Sequence, residues 1–193
     1  MSSRRSFVAW ALFTAFVAPG CGGSVPAPKA FVPMSSNDGR FACEFPQGWE
    51  TELGGNTDYS WCKARSGSAD IKVDADLAGS LMGDIARAGG ADESGENSPV
   101  AVAHEHGKRK FEEDWDKYEE RPPVTFMSAG LGEGRRSTFI ASSALGGKVF
   151  GYRATLLGGD RRINVICKCP PSNWKALKPA FEKVVKSVRT GSR

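Results

Sequence analysis

The residue types suited to covalent, metal or acid–base chemistry are few: Cys43, Cys62, Cys167 and Cys169, the pair His104 and His106, and the triplet Asp74-Ala75-Asp76. An even set of thiols reads first as disulfides in an oxidising compartment, and four cysteines allow three pairings. Cys167 and Cys169 flank one residue in an expected strand, where Cα atoms two apart lie about 6.6 Å from each other with parallel side chains. That is near the upper limit for a bridge, so links from Cys43 and Cys62 to Cys167 and Cys169 are favoured. The alternative is a four-thiolate zinc site. Its ligand pairs usually enclose two to four residues, whereas Cys167 and Cys169 enclose one and Cys43 and Cys62 are far apart. No metal ligand set is therefore assigned.

His104 and His106 are the only histidines. Two apart on a helix, they point to different faces, while a helical zinc pair wants a spacing of four. His104 falls on the apolar stripe of its helix and reads as a packed, hydrogen-bonded and proton-sensitive residue. His106 reads as a solvent residue. Asp74 and Asp76 share one strand face, a spacing that suits calcium or paired acid–base work. A calcium loop would also need acids at positions 78 and 85, which hold Ala78 and Ile85. That pattern fails, and a solvated strand face is expected. Gly130, Gly132 and Gly134 beside Arg135 and Arg136 resemble an anion cradle. The ending of a phosphate loop and the spacing of a dinucleotide fingerprint are both missing, so a hairpin entrance is expected. There is no Gly-x-Ser-x-Gly and no local cysteine-protease signature, and no catalytic residue is assigned. Carboxylate pairs distant in sequence stay open.

The leader bears on which of these chemistries apply. Arg4 and Arg5 precede an apolar run over residues 7–18, followed by Pro19-Gly20-Cys21. A charged start, an apolar middle and small residues at the end make an export signal. The run of 12 residues is short of the roughly 20 needed to span a bilayer. Cys21 after Ala18-Pro19-Gly20 resembles a bacterial lipobox, which would make Cys21 an acylated first residue. Ordinary cleavage after Gly20 is the alternative. The twin arginines also resemble a twin-arginine export signal. Residues 21–37 hold several prolines and glycines and read as a tether. The expected location is the cell envelope, lipid-anchored and facing the periplasm or exterior.

Without residues 1–20 the 26 basic residues become 24 against 22 acidic ones, a net charge of +2. A nucleic-acid partner would need a concentrated basic stripe, and none is expected. About 155 residues follow the tether, which suits one domain over 38–190.

The elements that must position these groups follow from periodicity. Phe41, Cys43 and Phe45 alternate with Ala42 and Glu44, Ile71, Val73 and Ala75 alternate with Lys72, Asp74 and Asp76, and residues 59–65 form a strand between them. Ser80 starts a short helix carrying Leu81 and Ile85, and an acidic loop covers 89–97. Ser98-Pro99 opens a helix, with a capping hydroxyl and proline in the first turn. Its stripe runs Val100, His104, Gly107, Phe111, Trp115 and Tyr118 until Pro122-Pro123. Residues 136–142, 149–157 and 161–168 are strands joined by glycine turns, a meander. Trp174, Leu177, Phe181, Val184, Val185 and Val188 form a last helical stripe, split by Pro179 into a turn and a helix. Lys175, Lys178, Lys183, Lys186 and Arg189 make its other face basic. The fold class is α+β, an antiparallel sheet covered by helices.

The opening strand with Phe45-Pro46-Gln47-Gly48-Trp49, and the closing strand followed by Trp174, Phe181, Val184, Val185 and Ser187-Val188, resemble the PsbP-like superfamily. The resemblance implies a PsbP-like layered sandwich. That group includes extrinsic proteins of the photosynthetic oxygen-evolving complex, a eukaryotic Ran-binding relative and many bacterial lipoproteins, mostly binding or assembly factors. The four cysteines are not part of its pattern. The function expected is a lipid-anchored, non-catalytic binding or assembly module without a cofactor, contacting the membrane through its lipid and a protein or small ligand. Its expected surface is Arg135 and Arg136 with Lys175, Lys178 and Lys183. The alternatives are a small exported metal-binding protein or enzyme using Asp74, Asp76, His104 or the cysteines, and a structural envelope protein without a specific ligand.

Overall fold

Strict alternation of apolar and polar side chains builds most of this molecule. In the computed structural model, which describes residues 24–79, 81, 84, 97–143 and 147–191, the described residues form eleven strands and two helices. The strands are β1 (Phe31–Ser35), β2 (Phe41–Pro46), β3 (Glu50–Gly55), β4 (Tyr59–Ser66), β5 (Ala69–Asp76), β6 (Lys117–Glu120), β7 (Val124–Ser128), β8 (Gly132–Ser142), β9 (Lys148–Gly158), β10 (Arg161–Cys169) and β11 (Arg189–Thr190). The helices are α1 (Pro99–Glu112) and α2 (Pro171–Ser187). A large antiparallel sheet runs β3-β4-β5-β10-β9-β8-β6, with β7 also on β8, and a small one runs β1-β2-β11.

The register separates the two faces of the large sheet. Ile163, Val165 and Cys167 on β10 stand beside Ala75, Val73 and Ile71 on β5 and beside Leu156, Ala154 and Tyr152 on β9. All of these are buried. On this apolar face they pack with Phe41, Cys43 and Phe45 of β2 and with Leu177, Phe181, Val184 and Val185 of α2. Their immediate neighbours in sequence point the other way. Arg153 and Thr155 of β9 meet His104 of α1, so the two helices lie against opposite faces.

The expected antiparallel sheet is present, and β8, β9 and β10 form the expected meander. Several elements depart from expectation. Phe31–Ser35, placed in the tether, is strand β1 paired to β2. Its Phe31 and Met34 pack on the core, and Val25 is 5% exposed. Burial of these side chains outweighs the proline-rich composition of the segment. Helix α1 ends at Glu112, short of the expected stripe. Tyr118 lies on β6 and stacks on Phe139 at 5.7 Å, while Phe111 meets Phe139 edge-on at 5.1 Å. The aromatic stripe is thus one cluster shared by a helix and a strand.

Gly54-Gly55, a pair whose composition suits a turn, closes strand β3. The Trp61 ring occupies the space a side chain at Gly54 would fill, which hides the strand signal. Gly130 to Gly134 is the hairpin entrance that was expected: it joins β7 to β8, which begins at Gly132, and the Phe126 ring lies against Gly134. Helix α2 continues through Pro179. An interior proline costs about 3 kcal/mol, which burial of Leu177, Ala180 and Phe181 around it offsets. The leader, Cys21 and most of the helix and acidic loop expected over 80–97 lie outside the described residues. Among the described residues no helix is long and apolar enough to cross a membrane.

Candidate functional site

The polar face of the large sheet carries two charged clusters. The first lies under α1. His104 shares its Nδ1 with Thr155 Oγ1 at 3.0 Å and its Nε2 with Ser137 Oγ at 2.9 Å. Beside it Arg153 donates to Glu120 Oε1 at 2.9 Å and to the His104 carbonyl at 2.6 Å. Arg135 donates to Glu133 and, at 3.1 Å, to Ser98 Oγ. Ser98 therefore serves Arg135 and makes no cap on α1.

A serine beside a histidine has the form of a nucleophile and its base. Here His104, Ser137 and Thr155 are each 1% exposed, so no substrate reaches them through the described residues. Burial, reinforced by Arg153, Arg135 and Lys108, pushes the His104 pKa down to about 3. The ring stays neutral and both nitrogens are used, so the cluster ties α1 to the sheet. His104 is the packed residue expected from its stripe, and the structure supplies its two hydroxyl partners.

The second cluster is open. Between α1 and strands β4, β5 and β10 lies a cleft of about 410 Å³, floored by Asp70, Lys72, Asp74 and Asp76 of β5 and by Arg162, Asn164, Ile166 and Lys168 of β10. Tyr59 closes one side, and His106, Lys110 and Asp114 rise on the other. Arg162 donates to Asp76 at 2.6 Å, Asn164 to Asp74 at 3.0 Å, and Lys72 to the Tyr59 hydroxyl at 2.7 Å. Lys72 also pairs with Asp74 at 3.1 Å. Burial works against the Lys72 ammonium, but Asp74 and the Tyr59 hydroxyl outweigh it and hold its pKa above the ordinary lysine value. Asp74 and Asp76 therefore do not form a merely solvated face; Asp74 is 8% exposed. The signal was present in the sequence. Setting Asp70, Asp74 and Asp76 against Lys168, Asn164 and Arg162 gives matched rungs, but only once β5 and β10 are known to be neighbours.

The four cysteines are buried free thiols and not the expected disulfides. Burial pushes the Cys62 pKa up to about 12 and that of Cys169 to about 11, with Cys43 and Cys167 also raised. The thiolate is the reactive form, so all four are inert near neutral pH. Sheet order also corrects the favoured pairing. Strand β5 stands between Cys62 on β4 and both Cys167 and Cys169 on β10. Two strand spacings are about 9.6 Å, beyond the roughly 7 Å that a disulfide tolerates. Cys43, across the core on β2, is the thiol that neighbours both Cys62 and Cys167. Among the described residues no three His, Cys, Asp or Glu side chains converge as a metal site.

The expected basic surface is divided. Arg135 is 5% exposed and faces α1. Arg136, one residue on, takes the other face, pairs with Glu182 at 3.5 Å and covers the Tyr152 ring at 4.3 Å. Lys183 pairs with Glu44 at 3.5 Å and lies over Phe31. Lys175 and Lys178 are exposed at the start of α2.

No family model matches this chain, and no curated protein matches it. Solved structures that share its fold include the following two. The solution structure of cyanobacterial PsbP (CyanoP) from Synechocystis sp. PCC 6803 is 10% identical with a TM-score of 0.52, covering 90% of this chain and 98% of that one. A point mutant of the protein Mog1 is 10% identical with a TM-score of 0.52, covering 84% of this chain and 97% of that one. At this identity the likeness is one of fold, the PsbP-like arrangement of sheet and helices.

Proposed function

We propose that this chain is an exported, non-catalytic binding module, held to the cell envelope by acyl chains on Cys21, with the cleft beside α1 as its ligand surface. The cleft carries the reading: in it, paired and oriented polar groups of two neighbouring strands line a concave surface open to solvent. Its acids are Asp70, Asp74, Asp76 and Asp114, and its bases are Lys72, Lys110, Arg162 and Lys168, with Arg153 already engaged by Glu120. These charges balance, and the tightest pairs are made before any ligand arrives. A ligand with a large net charge would have to break those pairs. A polar ligand of little net charge adds hydrogen bonds to them at no such cost.

The leader supports export: two arginines, a 12-residue apolar run and a small-residue site before Cys21. The burial of His104 with its two hydroxyls favours binding over hydrolysis.

A photo-crosslinker tests the surface. p-Benzoylphenylalanine placed at His106 or Lys110 in intact envelopes is expected to give a discrete adduct, reduced in yield by Asp74→Ala. Adducts from Lys175 or Lys178 alone, with none from the cleft, would move the binding surface to α2 and overturn this reading of the cleft. Intact mass of the membrane-extracted protein tests the anchor separately.

A further inference from the structure

We infer that the start of α2, with Lys175 and Lys178 outward, lies against anionic phospholipid headgroups. The inference rests on the acylated Cys21 proposed above and deepens it by giving the body an orientation. The chain enters the fold at Val25. Its N–H donates to Asn173 Oδ1 at 3.2 Å, in a buried contact, and its side chain abuts Gly67 in the turn between β4 and β5. The entry point is therefore the end of the molecule where that turn meets the first turn of α2.

The reach is short. Four residue steps separate Cys21 from Val25, and an extended chain covers at most about 3.6 Å per residue. An acyl-bearing Cys21 thus holds Val25 within roughly 14 Å, whatever path the connecting residues take, and Asn173 one hydrogen bond further. A free tether over 21–37 would have allowed about four times that distance.

What stands at this end suits an anionic surface. Lys175 and Lys178 follow Asn173 on α2, both exposed, and the first turn of α2 carries no acid. Lys183 lies eight residues past Lys175, about 12 Å along the helix, and is already paired to Glu44. The division is specific: the two early lysines contact headgroups and the later ones do not. The cleft is oriented by the same geometry. Strand β4 runs from Tyr59 to Ser66, so Tyr59 stands roughly 23 Å from the membrane-side turn at 3.3 Å per residue.

The test uses the acylated mature protein in vesicles of equal dioleoyl phosphatidylglycerol and dioleoyl phosphatidylcholine, with nitroxide-labelled headgroups as quenchers. A fluorophore is attached through Ser172→Cys, Lys186→Cys or Asp58→Cys, all exposed positions, while the four native thiols are buried. The Ser172 label is expected to be quenched strongly, and the Lys186 and Asp58 labels weakly. Each lysine near an anionic surface is worth about fivefold in partitioning, so Lys175→Glu with Lys178→Glu should weaken quenching of the Ser172 label within the reach of the tether, and Lys183→Glu should not. Quenching at Ser172 no greater than at Asp58 overturns the orientation and leaves the anchor standing. An intact mass without acyl chains overturns both.

Discussion

Under α1, Arg153 and Glu120 meet at 2.9 Å with side chains 4% and 3% exposed. One strand away, Arg162 and Asp76 meet at 2.6 Å with side chains 17% and 24% exposed. The two pairs have the same chemistry, stand on the same face of the same sheet and differ little in distance. Only the covering differs, because α1 packs on β8 and β9 and leaves β10 and β5 to the cleft. Where the helix covers it, the charged face is part of the scaffold: Arg153 reaches a carbonyl of α1 and ties the helix to the sheet. Where the helix stops, the same pattern presents fixed donors and acceptors to whatever enters. Burial, more than residue type, separates structural polar groups from available ones.

Breaking each pair should expose that difference. The largest effect belongs to Glu120→Ala, which leaves Arg153 buried without its carboxylate. Removing one partner of a buried pair costs about 3–5 kcal/mol, to be read from urea unfolding. A loss under 1 kcal/mol by the same measurement would mean that the cluster is wetter than its burial indicates.

A smaller effect comes from pH. The His104 pKa is about 3 in the fold against about 6.5 in the unfolded chain. Below pH 6.5 the unfolded chain takes up a proton that the fold refuses. Stability is therefore complete above that pH and declines as pH falls toward 3, at up to about 1.4 kcal/mol per pH unit. Urea midpoints between pH 7 and 5 should show the decline, and His104→Gln should flatten it. An unchanged slope in the variant would assign the decline to other groups.

The smallest effect on stability is expected from Asp76→Ala in the cleft, about 0–1 kcal/mol for a partly exposed pair. Its effect should appear instead in the adduct yield from Lys110. A variant that unfolds the protein without altering adduct formation would erase the contrast between the two halves of the face.

Much of the sheet was legible in the sequence because its alternation is strict: Ile71, Val73 and Ala75, and the strands of the meander, fall where the pattern puts them. Strand β1 was not, because Pro33 and the surrounding prolines mask a segment whose stability comes from packing Phe31 and Met34 on the core. Pro179 misled in the same direction, since core contacts on both sides carry the helix across it. Of the candidate residues, His104 was legible from its stripe alone. The cleft was not. Its rungs join residues 86 and 90 apart in the chain, and a pairing that distant is set by strand order, which local patterns do not encode. Arg135 and Arg136 were read as one surface, although adjacent strand residues take opposite faces.

Strand β3 closes one end of the large sheet and, among the described residues, pairs on one side only, with β4. Its sequence, Glu-Thr-Glu-Leu-Gly-Gly, sets Glu50 and Glu52 on an otherwise open row of backbone donors and acceptors. Two copies meeting there would bring four carboxylates together. An edge whose own carboxylates repel a second copy is blunted against strand-to-strand addition.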